Sequence, residues 1–221
     1  MKTKRVTLFA GHYGSGKTNI AVSYALRLAR DGRAVTLADL DIVNPYFRAK
    51  DSAEALAAAG VRLLSSPYAN SNVDLPAIPQ EMYAVVDDRS RHAVLDIGGD
   101  DRGALALGRF APGLLREGDY EMLLVVNCRR PLSQDAGSTL DILREIETAG
   151  GVRFSAIVNN SNLGPETTAQ TVLDSLPYAE EISRQSGLPV KMTCADARLF
   201  PELEGKIPNL MPLSLQKRDF L

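Results

Sequence analysis

The stretch "GHYGSGKT", residues 11–18, decides how the rest of the chain is read. It follows a short apolar run, residues 5–10, that reads as a strand. It opens a segment, Lys17–Arg30, that places Ile20, Ala21, Tyr24, Ala25 and Leu28 on one helical stripe, with Gly32 as the stop. Gly11, Gly16, Lys17 and Thr18 fit the spacing G-x-x-x-x-G-K-S/T. A strand before and a helix after are the context that motif requires. Glycines let backbone N–H groups converge on a phosphate, the helix start adds the positive end of its dipole, and Lys17 adds a point charge for the outer phosphates. Gly14, Ser15 and Asn19 belong to the same cradle, and the Thr18 hydroxyl is placed to join a magnesium ion. The expected ligands are therefore the phosphates of a nucleotide, together with Mg2+.

Outward from the loop, short β-rich runs alternate with longer helical patterns. Strands are predicted over residues 34–39, 92–97, 120–127, 154–159 and 190–193. A helical stripe of Leu140, Leu143, Ile146 and Ala149 ends at the Gly150-Gly151 pair. Runs such as "EMLLVVN" are apolar on both faces, as central strands covered on each side must be. This predicts an α/β three-layer fold, a mostly parallel central sheet with helices on both faces. A single domain over residues 1–221 is expected, with residues 201–221, punctuated by Pro201, Pro208 and Pro212, as an irregular C-terminal tail.

Composition narrows the function classes. The 221 residues are 45% hydrophobic, enough for a sizeable core, and a formal net charge of −2 without any block of like charges implies no nucleic-acid partner. The two cysteines, Cys128 and Cys194, have no Cys-x-x-Cys spacing, so neither a disulfide framework nor a zinc site is expected and a cytoplasmic setting fits. No apolar stretch approaches the roughly 20 residues of a membrane helix, and the brief apolar run after the charged start is too short for a signal segment.

A phosphate cradle alone hydrolyses nothing, because water must be positioned and the metal held from other strands. The second strand ends in "LADLD", with Asp39 and Asp41; the third ends in "VLDIGG", with Asp96 ahead of Gly98 and Gly99. Ligands gather at the carboxyl ends of strands in open α/β sheets, so these acids should face the glycine loop. Asp100 and Asp101 read as caps of the next helix.

Together, "GHYGSGKT", "DLDIVNPYFR", "VLDIGG" and "AIVNN" resemble the MinD, ParA and CobQ/CobB group of P-loop ATPases, over nearly the whole chain. That resemblance implies that Asp41 positions the attacking water, that Asp39 supports the metal shell, and that Asp96 holds Mg2+ through water. It also implies that Gly98 and Gly99 sense the outermost phosphate, that Asn159 reads the adenine edge, and that the chain forms a nucleotide-dependent homodimer. The sequence departs from the group at two places. His12 stands where the group carries a lysine that reaches across the dimer, and Tyr13 stands where it carries a glycine. A neutral imidazole lacks the permanent charge of lysine, which leaves Arg48, Arg129 and Arg130, each following a strand end, as alternative sources.

The function expected from this is a slow, Mg2+-dependent ATPase acting as a nucleotide-controlled switch or maturation factor for an unidentified protein partner. The alternatives are an ATP-dependent small-molecule enzyme, a kinase or a carboxylate-activating ligase or amidase relative, and a nucleotide-binding module with little hydrolysis. Relatives that insert metals carry cysteines near the switch, and relatives that cycle on membranes end in a basic amphipathic helix. This sequence shows neither, and no membrane partner is implied.

Overall fold

The computed structural model describes residues 3–41, 49–65, 80–99 and 101–214. In chain order the elements are β1 (Val6–Ala10), α1 (Lys17–Arg30), β2 (Val35–Leu40), α2 (Ala53–Ala58), β3 (Arg62–Ser65), α3 (Gln80–Asp87), β4 (His92–Ile97), α4 (Asp101–Glu117), β5 (Tyr120–Val126), α5 (Ala136–Gly150), β6 (Ala156–Asn159), α6 (Ala169–Leu173), α7 (Leu176–Ser186), β7 (Val190–Asp196), α8 (Phe200–Leu203) and β8 (Leu210–Leu213). The eight strands form one sheet in the order β3-β2-β4-β1-β5-β6-β7-β8, and every neighbouring pair runs parallel. Parallel pairing forces each connection to cross over a face of the sheet, and the helices supply those crossings.

Side chains alternate between the two faces. Phe9, Leu37, Val94, Leu123 and Val158 pack with Ile20, Tyr24 and Leu28 of α1 and Leu56 of α2. Leu8, Leu95, Ile97, Leu124 and Ile157 pack with Val85 of α3, Leu107 and Phe110 of α4, Leu140 and Leu143 of α5, and Ile182 of α7. The central strands are buried on both sides, as their unbroken apolar runs require. Glycines at left-handed φ close α1 at Gly32 and α5 at Gly151, where the sequence pattern places its stops.

Two strands depart from expectation, and both are sheet edges. The segment expected as an irregular tail contributes α8 and β8, and β8 pairs along β7 with Ala195 beside Pro212. Proline lacks an N–H donor, so its presence argues against a central strand; an edge strand needs hydrogen bonds on one side only. β3 is four residues long and only partly buried, too short to show a period. Among the described residues no helix is long and apolar enough to cross a membrane.

Candidate functional site

Strand register assembles the site. Asp39 of β2 lies directly beside Asp96 of β4, and Asp96 lies beside Phe9 of β1, two residues before the glycine loop begins. β1 sits in the middle of the sheet, flanked by β4 and β5, so its carboxyl end opens where successive connections leave in opposite directions. The loop, Asp39, Asp41, Asp96 and the Gly98-Gly99 pair thus meet at one edge.

The loop is a tight curl. The His12 carbonyl accepts from the Ser15 N–H at 3.2 Å and from the Lys17 ammonium at 3.2 Å. Gly16 takes a left-handed conformation, φ 90°, at the start of α1, and no side chain caps that helix. The first-turn N–H groups are therefore left to a ligand, the arrangement that favours phosphate. A Cβ on Gly16 would collide with the Asn160 amide, which donates to the Ser15 carbonyl at 2.7 Å. Across the cradle, Gly99 approaches so closely that a Cβ there would sit 2.6 Å from the Tyr13 nitrogen and 2.8 Å from the Lys17 Nζ. The pair expected to sense an outer phosphate lies against the lysine expected to bind it.

The acids are buried beneath. Asp39 accepts from the Asp41 N–H at 3.1 Å and from the Ala49 N–H at 3.3 Å. Asp41 is buried close by. Asp96 is fully buried, and neither carboxylate oxygen has a hydrogen-bond partner within bonding distance. Burial pushes its carboxyl well above the usual range, and the neighbouring Asp39 and Asp41 charges push the same way against the opposing pull of Lys17 and Thr18. A buried carboxylate without a partner costs free energy unless something satisfies it, and a cation does so directly. Among the described residues no three His, Cys, Asp or Glu side chains converge tightly enough to chelate an ion alone. A magnesium ion would therefore be held by Thr18 and the carboxylates together with phosphate oxygens and water, the usual arrangement for that ion. The Ser15 hydroxyl and the Asn19 side-chain oxygen are likewise buried without partners at this edge.

Not every expected residue joins the cluster. Asn159, expected to read a base, is fully buried: its amide donates to the Ser175 hydroxyl at 2.9 Å and its oxygen accepts from Ser161. It ties β6 to the start of α7, and the side chain that reaches the loop is its neighbour Asn160. Sequence reasoning also misses Asn127, at the end of β5. It is fully buried, and its side-chain oxygen accepts from the Arg129 N–H at 3.0 Å and the Asn162 N–H at 3.3 Å, joining the turns after β5 and β6. The three asparagines in "NNSN" carry the signal; strand geometry decides which one points where. Of the alternative cations, Arg130 donates from Nε to the Gly14 carbonyl at 2.9 Å, Arg129 is exposed, and Arg48 lies outside the described residues, as does the expected helix cap Asp100. Cys194 is a buried free thiol that burial pushes up to about 12, an inert packing residue.

The chain matches no protein-family model, and no curated protein shows significant sequence similarity to it. Similar solved structures include the cell division protein FtsY of Thermotoga maritima, 19% identical with a TM-score of 0.58, covering 86% of this chain and 61% of that one. The signal recognition particle receptor FtsY of Elizabethkingia anophelis in complex with GDP is 16% identical with a TM-score of 0.52, covering 87% of this chain and 58% of that one. The signal recognition particle 54 kDa protein of Aeropyrum pernix K1 in complex with GDP is 19% identical with a TM-score of 0.55, covering 87% and 41%. This chain spans about three-fifths of the length of the first of these. At such identities the likeness establishes the fold: a parallel α/β sheet of the P-loop NTPase kind.

Proposed function

We propose that this protein binds a nucleoside triphosphate with Mg2+ at the carboxyl edge of its sheet, hydrolyses it slowly, and uses the bound nucleotide to control association with a protein partner. The observation that carries this reading is the fully buried Asp96 carboxylate, unpartnered, beside Asp39 and beneath Thr18 and Lys17. Buried acids beside a phosphate cradle are suited to hold a magnesium ion against the phosphates. Lys17 and the first-turn N–H groups hold the phosphates. Thr18 and Asp96 hold the metal with Asp39 in support, and Asp41 orients the attacking water. Magnesium, when bound, neutralises charge on the phosphate oxygens. The fold likeness to two structures in complex with GDP makes guanine nucleotide a necessary comparison with ATP.

Association with a second copy or another protein is supported by the rim of the site. Tyr13, Leu132 and Leu163 are three of the five exposed large hydrophobic side chains among the described residues, and they lie in the loops after β1, β5 and β6, which are neighbours in the sheet. Apolar side chains gathered around a ligand cleft mark a contact surface.

The test compares the binding of ATP and GTP with magnesium by calorimetry, then follows phosphate release and mass in solution. Lys17→Ala is expected to weaken nucleotide binding at least about 100-fold, and unchanged affinity refutes the cradle. Asp41→Ala is expected to abolish turnover while binding persists, and retained turnover removes the water-positioning role. A mass unchanged by a non-hydrolysable analogue, together with turnover stimulated by a small acid or alcohol, would move the protein to the small-molecule enzymes.

A further inference from the structure

The loop itself holds one cation, Lys17, whose ammonium lies against the His12 carbonyl on the side covered by Gly99. Arg130 borders the loop at Gly14. Its Nε donates to the Gly14 carbonyl at 2.9 Å, and its Cδ and Nε would lie 3.7 Å from a Cβ at Gly14. Of the guanidinium's N–H groups, the Nε–H is the one with a hydrogen-bond partner among the described residues, which leaves both terminal amino groups with donors to offer.

The backbone beneath Arg130 is held rigidly. The carbonyl of the fully buried Asn127 accepts from the Arg130 N–H at 3.2 Å and from the Ser133 hydroxyl at 2.9 Å. The Tyr178 hydroxyl fixes the Ser133 carbonyl from α7 at 2.8 Å, and Pro131 locks the next φ. A cation mounted on a fixed turn and pinned to the phosphate loop by one of its donors is oriented before any ligand arrives. Such preorganisation is what lets a charge stabilise a transition state without reorganising during the reaction. The imidazole of His12, by contrast, bonds through Nδ1 to the Tyr13 carbonyl at 2.9 Å, a local contact within its own loop.

We infer that Arg130 supplies, from within the same chain, the positive charge that stabilises the outermost phosphoryl group during hydrolysis; the inference rests on the hydrolase reading above. In that step the water oxygen forms a bond to the terminal phosphorus as the bridging P–O bond breaks. The electron pair leaves with the nucleoside diphosphate, and the water proton passes to the released phosphate or solvent. The role assigned to Arg130 is electrostatic: it offsets negative charge on the transferring oxygens.

Four proteins test it: wild type, Arg130→Ala, Arg129→Ala, and Lys17→Ala used as a mixing partner. Steady-state turnover is measured alongside calorimetric affinity for the diphosphate alone and with aluminium fluoride, which mimics the group in transfer. Arg130→Ala is expected to lower turnover at least about 100-fold and to lose the tighter binding of the fluoride complex. Its affinity for the diphosphate alone stays within about threefold. Arg129→Ala removes the same charge from the adjacent position of the same turn and is expected to change neither. Turnover of Arg130→Ala close to wild type overturns the inference. So does a loss of diphosphate affinity that parallels the loss of turnover, which is the signature of a loop tether alone. Turnover restored by mixing Arg130→Ala with Lys17→Ala assigns the arginine to the other copy and overturns the in-chain role. A wild-type protein that neither turns over nor prefers the fluoride complex refutes the hydrolase reading itself, so the two failures are distinct.

Discussion

The two ends of the sheet treat charge in opposite ways. At the end where the strands begin, buried charges have opposite partners. Arg5 binds Glu117 at 2.6 Å, with side-chain accessibilities of 11% and 9%, and donates to the Val86 carbonyl in the last turn of α3 and to the Asp88 carbonyl just after it. Lys191 pairs with Glu121, which also accepts from Thr7 at 3.2 Å. At the end where the strands finish, carboxylates crowd together: Asp39, Asp41 and Asp96, with both Asp96 oxygens unpartnered. Paired charges hold elements in place, whereas crowded like charges raise the free energy of the empty site and lower it when a cation arrives. The same sheet is braced at one edge and carries the proposed binding site at the other.

The sharpest way to break this contrast is to remove a partner at the braced end. Glu117→Ala leaves Arg5 without its carboxylate and is expected to cost about 2 kcal/mol in urea denaturation, with nucleotide affinity of the folded protein unchanged. Hydrogen bonds from Arg5 hold the Glu117 carboxyl below its usual range. Its contribution is therefore present above the ordinary glutamate pKa and lost as pH falls through the lowered value. A variant as stable as wild type would mean that the pair braces nothing.

At the binding end, Gly99→Ala places a methyl group against the Tyr13 backbone and the Lys17 ammonium and is expected to weaken nucleotide binding about tenfold, or 1.4 kcal/mol. Unchanged affinity would separate the diglycine from the phosphate cradle. The smallest effect carries the opposite sign. Asp96→Asn removes a buried charge and is expected to raise nucleotide-free stability by about 1 kcal/mol, roughly 2–4 °C in Tm, while abolishing the magnesium dependence of binding. The Asp96 carboxyl is raised in the folded state, so the fold binds more protons than the unfolded chain. Its penalty is absent below the ordinary aspartate pKa and grows as pH rises toward the raised value. Asp96→Asn should flatten that dependence, and an Asn variant less stable than wild type would show that the carboxylate is not strained.

Much of the site is legible in the chain because its parts are local. Glycine loop, lysine, threonine and helix are contiguous, and their geometry follows from φ preferences and the dipole of one helix. The strands that carry Asp39 and Asp96 announce themselves by unbroken apolar runs, and parallel α/β architecture brings the ends of such strands together. The choice between Asn159 and Asn160 is not legible in this way. Strand residues alternate faces, and a single residue of register separates a side chain that straps β6 to α7 from one that seats the loop.

By itself, then, the sequence determined the fold class, and it carries the proposed phosphate loop and its acids as short contiguous patterns. Tertiary structure alone decided that β3 and β8 complete the sheet, that Asp39 and Asp96 stand side by side, and that Arg130 reaches Gly14 across 116 residues of chain. Those facts depend on strand register and on pairings between distant segments. The free energy of such pairings belongs to the assembled sheet, and no local pattern encodes it.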